Sequence, residues 1–418
     1  MYIHRELERE VSPFLDCREA IAILGPRQCG KTTFLGEIVR KLESSDKKVH
    51  QITFENRGDL DLFDENIEDF KSLVSGYDTV VIDEFQYAKN GGKHLKYLYD
   101  TTEIKFIISG SSSLDLVFQT GKYMVGRLLE FTLLPFSFRE YLSFREPDLF
   151  RMLEERAIDI PESFRMEQSF GEEIRVRLRK YLEQFVIYGG YPAVALAEDI
   201  KRKEKILESI ASEYLLKDIE SLLRLATSDK LRTLEKLLAS QIGNLINYKE
   251  LGISSGLAYN DLKEHLDILE KTYILSLVRP FSRHRRTELV RNPKVYFLDT
   301  GLRNFTLSDF RPIADRPDAG AVMENYAFTL LVRRAATHAH DIHFWRTKGG
   351  AEVDFVLERR GEIAPFEIKY SVGAALGKSV YSFIEKFQPK RFTILTRETA
   401  QEEKVGNTDI MRVPLSYF

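Results

Sequence analysis

The sequence predicts an α/β protein of several domains: a parallel sheet covered by helices, a helical segment, a small unit of three helices and a hairpin, and a second α/β domain. Three observations carry this prediction. The chain has 418 residues, too many for one hydrophobic core, and about 150 residues per domain points to roughly three domains. Between Ala20 and Ser113, short apolar runs alternate with amphipathic stretches. Across residues 321–396, a helical pattern is followed by three strand-like runs, a further helix and a strand.

Composition narrows the class. With 43% hydrophobic and 30% charged residues, and only 24 glycines and 13 prolines, the chain is neither disordered nor collagen-like. No apolar run approaches the roughly 20 residues that cross a bilayer, and the opening MYIHRELEREVSPFLD lacks a signal peptide's apolar core. The expectation is a cytoplasmic protein with no membrane partner. Two cysteines, Cys17 and Cys29, do not make a disulfide framework. A net charge of -3 gives no overall attraction to phosphate, so a nucleic-acid surface would be a local patch.

The first part reads as buried strands at AIAIL (20–24), HQITFE (50–55), TVVID (79–83) and KFIIS (105–109), each too short for a typical helix. From Phe136 to about Leu225 the pattern is helical and charge-rich, broken by the turn-forming YGGYP at 188–192. Helices at 230–242, 248–255 and 259–272, followed by YILSLVRPF (273–281) and KVYFLD (294–299), have the order of a winged helix-turn-helix. After a proline-containing linker at 309–320 come a helix (321–336), the runs IHFWRT, AEVDFVLE and EIAPFEIKY separated by turns at KGG (348–350) and RRG (359–361), a helix (376–387) and RFTILT (391–396). The expected division is 1–135, 136–228, 229–308 and 309–418.

The segment Gly25-Pro26-Arg27-Gln28-Cys29-Gly30-Lys31-Thr32 fits G-x-x-x-x-G-K-[ST], between a buried strand and a helix. Backbone N–H groups of such a loop cradle phosphate, and the helix N-terminus adds partial positive charge. Lys31 would reach the outer phosphates and Thr32 would offer its hydroxyl to Mg2+, with Thr33 ending the ATP-binding segment. Cys29 reads as a small filler. TVVIDE (79–84) supplies Asp83 to hold the metal and Glu84 to orient or deprotonate the attacking water, the Walker B pattern. The first part is therefore predicted to be a P-loop NTPase. Ser111, just past the fourth strand, is a candidate γ-phosphate sensor or a residue of a serine-rich turn.

These segments, with TVVIDEFQ including Gln86, FIISGSSS, VGRLLEFTLLPFSFREYL, YGGYPAV and the C-terminal ENYAF, EVDF and EIK, resemble the AAA-type ATPases of bacteria and archaea that carry an uncharacterised C-terminal domain. The resemblance covers almost the whole chain. It implies a nucleotide core, a helical lid, a winged helix and a domain similar to PD-(D/E)xK nucleases. It also implies a role for Arg127 as an arginine finger or sensor, in its own subunit or between subunits of a homo-oligomer; a structural salt bridge is the other reading.

In the last domain, Glu367 and Lys369 are two apart in a strand and share a face, and the turn at 359–361 would bring Asp354 beside them. Two carboxylates and an amine suit Mg2+ or Mn2+ acting on a phosphodiester, with Glu324 completing the site. The element order resembles a restriction-endonuclease-like core, which can cut or serve as a binding module. Trp345, Arg346 and Lys348 would contact nucleic acid, or Trp345 would pack in the core. The helix at 259–272 carries Asp261, Glu264, Asp267 and Glu270, which argues against major-groove reading. Arg279, Arg283, His284, Arg285, Arg286 and Arg291 crowd the hairpin loop, which would grip phosphates or form a solvated or interdomain segment.

The leading functional expectation is an ATPase coupled to metal-dependent cleavage of nucleic acid. The alternative is an ATP-controlled regulatory or binding protein with an inactive C-terminal fold. A small-molecule kinase would leave both C-terminal parts idle.

Overall fold

The computed structural model describes residues 2–110, 123–156, 163–213, 228–282, 291–338, 340–370 and 375–418. They fall into two compact units, Met1–Pro135 with Lys271–Tyr273, and Phe136–Glu270 with Ile274–Phe418.

The first unit is built on a parallel sheet of β1 (Ala20–Leu24), β2 (Val49–Thr53), β3 (Thr79–Asp83), β4 (Lys105–Gly110) and β5 (Leu128–Thr132), in the order β2-β3-β4-β1-β5. β1, β3 and β4 are buried along their whole length, so their apolar residues serve two cores. Ala20, Ala22, Val80, Ile82, Phe106 and Ile108 pack with Phe54, Phe63 and Phe70 on one face. Ile21, Ile23, Val81 and Ile107 pack on the other against Phe34, Leu35, Ile38 and Leu42 of α1 (Lys31–Glu43). This alternation is the two-residue side-chain period of a strand. Sequence reasoning missed β5, whose LLEFT is too polar and too exposed to stand out as a buried run.

The second unit contains α2 (Glu172–Tyr188), α3 (Ser228–Ser240), α4 (Tyr248–Ser255), α5 (Tyr259–Lys271, all but its last residue), α6 (Thr300–Thr306), α7 (Ala319–His338) and α8 (Lys378–Phe387). The helices between 138 and 213, expected as a lid on the nucleotide core, cluster in this unit. YGGYP has a packing role here. Cβ atoms on Gly190 and Gly301 would lie 2.2 and 2.0 Å from the carbonyl oxygens of Phe136 and Tyr188, so only glycine permits these backbones to touch. Asp299 ties the junction by accepting from the amides of Gly190 (2.7 Å) and Leu302 (2.8 Å), the latter capping α6.

The remaining strands are β6 (Leu275–Pro280), β7 (Lys294–Phe297), β8 (Asp341–Arg346), β9 (Glu352–Arg359), β10 (Glu362–Lys369), β11 (Arg391–Thr396), β12 (Gln401–Val405) and β13 (Thr408–Pro414). They form one sheet, β12-β13-β11-β10-β9-β8-β6-β7. The β6–β7 hairpin, read from sequence as a wing, joins this sheet through parallel pairing of β6 with β8. One sheet therefore takes strands from both sides of the 309–320 segment. Arg360 and Gly361, both with positive φ, make the two-residue turn between β9 and β10. The polar β12 was not foreseen, nor was β13. β7 is an edge strand, and Asn325 of α7 covers it: its side chain accepts from the Phe297 amide and donates to the Phe297 carbonyl, both at 2.8 Å.

Candidate functional site

In the first unit the glycine-rich loop follows β1 directly. Gly25 has φ of +147°, and a Cβ there would sit 2.1 Å from the Leu133 carbonyl oxygen. Gly30 is left-handed (φ 97°) and caps α1, turning the helix N-terminus toward the loop. The buried Lys31 donates to the carbonyl oxygens of Gly25 (3.1 Å) and Pro26 (2.8 Å), which holds its ammonium group over the loop. Cys29 is buried in the α1 core, where burial pushes its thiol pKa up; it acts as a filler.

The strand order places β4 between β1 and β3, and this determines the site. The Thr32 hydroxyl donates to Asp83 Oδ2 at 2.6 Å, while Ser109, at the end of β4, donates to Asp83 Oδ1, which also accepts from the Glu84 amide at 3.0 Å. A hydroxyl and a buried carboxylate in contact are hard oxygen donors that fit Mg2+. Glu84 is left-handed (φ 53°), and its carboxylate accepts from Gln86 Nε2.

At this site sequence reasoning chose Ser111 over Ser109 and did not foresee Arg5. Ser109 stands beside Asp83, whereas the expected sensor Ser111 lies outside the described residues. Arg5, buried, donates to the carbonyl oxygens of Cys29 and Leu134, bracing the phosphate loop from a segment with no motif. Arg127 is placed differently from a group serving its own loop. Its carbonyl pairs with the Ala20 amide at the start of β1, about 16 Å along a five-residue strand from Gly25. Its guanidinium lies 3.5 Å from Asp100. The parallel direction of β5 and β1 sets Arg127 at the opposite edge of the sheet from the loop.

In the second unit Asp354, Glu367, Lys369 and Glu324 do come together. Asp354 accepts from the Ile368 amide (2.8 Å), Lys369 donates to Glu367 (2.6 Å), and Glu324 accepts from the Tyr296 hydroxyl (2.6 Å). Burial, then the negative charges of Glu324 and Glu367, hold Asp354 well above the usual carboxylate range. Burial also raises Glu367, against the pull of Lys369. One oxygen of Glu367 is buried without a partner among the described residues. The unforeseen member is Lys294 of β7, 2% exposed, paired with Glu352 and 3.4 Å from Glu324. Burial opposes its charge, yet Glu324, Glu352 and Asp354 outweigh that and raise its pKa.

The carboxylates expected to bind metal are thus engaged by two lysines, a tyrosine and a backbone amide. Among the described residues no three His, Cys, Asp or Glu side chains form a metal-holding group. Trp345 is core, packed edge-on against Phe383 and Phe387, while Arg346 pairs with Glu352 at 3.4 Å and Lys348 is exposed. Of the basic hairpin, Arg279 and Arg291 are exposed, and Arg283, His284, Arg285 and Arg286 lie outside the described residues. Among the described residues no helix is long and apolar enough to cross a membrane.

Residues 17–142 match an AAA domain family, 179–312 a domain of unknown function (DUF8612) and 319–418 another (DUF4143). The parallel sheet, the loop and the first match define the N-terminal unit as an AAA-type P-loop nucleotide-binding domain. Two uncharacterized proteins of Methanocaldococcus jannaschii are similar to the chain: one is 25% identical over 85% of this chain and 75% of its own length, the other 24% identical over 99% and 87%. Among solved structures, the Aeropyrum pernix ORC1 protein in complex with DNA is similar at 15% identity over 80% of this chain and 94% of its own, with a TM-score of 0.30.

Proposed function

We propose that the first unit binds ATP with Mg2+ and hydrolyses it. The observation that carries this is the Thr32–Asp83 contact at 2.6 Å beside the loop, with Glu84 next in sequence. Thr32 and Asp83 would hold the ion, which supplies charge neutralisation to the phosphates. The loop amides and Lys31 would bind the phosphates, and Glu84 would orient water and accept its proton. Glu84→Gln should abolish turnover while retaining nucleotide binding. Turnover by the variant at more than a tenth of the wild-type rate sinks the assignment. The distance of Arg127 from its own loop supports a role, if it meets nucleotide, from a neighbouring subunit of a homo-oligomer.

For the second unit we propose a nuclease-like fold acting on nucleic acid, with Asp354, Glu367, Lys369 and Glu324 as the reactive cluster and ATP turnover gating it. The hard oxygen donors and the adjacent lysine support this, as would a winged helix formed by α3 to α5 with the β6–β7 hairpin and its basic loop. The test is cleavage of plasmid, linear and single-stranded DNA with Mg2+ or Mn2+, lost in Asp354→Ala. The pairing of Lys294 with Glu324 and Glu352 favours a second reading, in which the cluster is a structural ion network and this unit docks a partner under ATP control. No cleavage of any nucleic acid by the wild type would select that reading. The proposed location is the cytoplasm.

A further inference from the structure

We infer that Gln86 is a positioning residue for Glu84, an inference that rests on the ATPase reading. Glu84 occupies the left-handed region, uncommon for a residue with a side chain, because the chain leaves β3 there and turns at once into the 3-10 helix Phe85–Tyr87. That turn is fixed from below. Phe85 is buried, its ring 5.5 Å from Phe54 and 5.7 Å from Phe63. The ring also packs closely on Gly91, where an added Cβ would come within 2.8 Å of it. The Tyr87 amide closes the turn on the Glu84 carbonyl at 3.2 Å.

The Glu84 carboxylate is only partly buried, and a glutamate has several rotamers to lose before it can address one water. Gln86 supplies the missing restraint. Its side chain is 8% exposed and its amide nitrogen donates to Glu84 Oε2, leaving Glu84 Oε1 to act on water. Gln86 Oε1 is buried and finds no partner among the described residues. A buried, half-satisfied amide costs stability through its unmet acceptor. Leucine or methionine would fill the same space without that cost, so packing does not account for an amide here. Holding the carboxylate does.

The experiment measures ATP turnover and nucleotide affinity for wild type, Gln86→Met, Glu84→Gln and the double variant. Gln86→Met should lower kcat about 10- to 100-fold, as expected when a reacting group loses its orientation, with the Kd for a fluorescent ATP analogue unchanged within about twofold. In the Glu84→Gln background the same substitution should change the residual rate by less than about twofold, because Gln86 acts only through the carboxylate. A kcat within twofold of wild type, or losses that multiply in the double variant, overturns the inference. If Gln86→Met does not fold, Gln86→Glu decides by the same criteria, since it keeps the shape and removes the donor. No turnover by the wild type overturns the ATPase reading and this inference together; wild-type turnover with an unaffected Gln86→Met overturns the inference alone.

Discussion

Glu235 gives a pH-dependent prediction with a magnitude. It lies on α3, 4% exposed, with the Thr306 hydroxyl of α6 at 3.0 Å from its carboxylate and Lys236 and Arg232 of its own helix beyond. Burial dominates the neighbouring hydroxyl and cations and pushes its pKa from 4.5 up to about 7. The folded state therefore holds the proton more tightly than the unfolded chain, and stability falls as pH rises. The fall begins near the unfolded value, pH 4.5, and is complete above about pH 7. A shift of about 2.5 units at 1.36 kcal/mol each amounts to about 3 kcal/mol. Glu235→Gln removes the ionisation. It should match wild type near pH 4.5 and exceed it by about 3 kcal/mol at pH 8. Trp345, the single tryptophan and 3% exposed, is in the same unit, so urea unfolding followed by its fluorescence at several pH values reads the difference. A difference between variant and wild type that stays constant within about 0.5 kcal/mol from pH 5 to 8 refutes the reasoning.

Three further predictions use other sites. Lys294→Met should destabilise the second unit by about 3–5 kcal/mol, because Glu324 and Glu352 are left without their buried cation, and adding Glu352→Gln should restore part of the loss; Trp345 fluorescence in urea checks both. Gly25→Ala should reduce affinity for a fluorescent ATP analogue at least about tenfold, since its methyl group would displace the Leu133 carbonyl from the loop. Arg127→Ala should leave the affinity for the same analogue unchanged within about twofold at protein concentrations that keep subunits apart, because in its own chain the guanidinium is bonded to Asp100 at the far edge of the sheet.

The legible parts of the sequence were those whose physics is local. AIAIL, TVVID and KFIIS are read as strands because each is apolar on both faces, and the glycine loop because its spacing is itself the binding geometry. Asp354, Glu367 and Lys369 were legible because a strand's period and a two-residue turn at Arg360-Gly361 fix which side chains meet. What could not be read depends on pairing between distant segments. Nothing in LVRP announces that β6 will run parallel to β8, and only that pairing sets β7, with Lys294, into the C-terminal sheet. Ser109 became visible once β4 was known to lie between β1 and β3. The readings of Arg127 stayed open because a dipeptide does not say which end of its strand faces the loop; the pair with Asp100 is the salt-bridge alternative.

The two acidic sites differ in what already neutralises them, and this decides which is the better cation site. Asp83 is buried, and its described partners are the hydroxyls of Thr32 and Ser109 and a backbone amide. All are neutral donors that orient the carboxylate while leaving its full negative charge to be met. Asp354, Glu367, Glu324 and Glu352 face Lys369, Lys294 and Arg346, so most of their charge is met within the chain. A divalent cation entering the second site must compete with ammonium groups held in place, one of them by a strand from the 229–308 segment. Magnesium should therefore bind the first site with nucleotide at concentrations that leave the second unaffected. Removing Lys294 from the pair with Glu324 and Glu352 would shift that balance toward the cation, so the ammonium group that β7 carries is what sets the two sites apart.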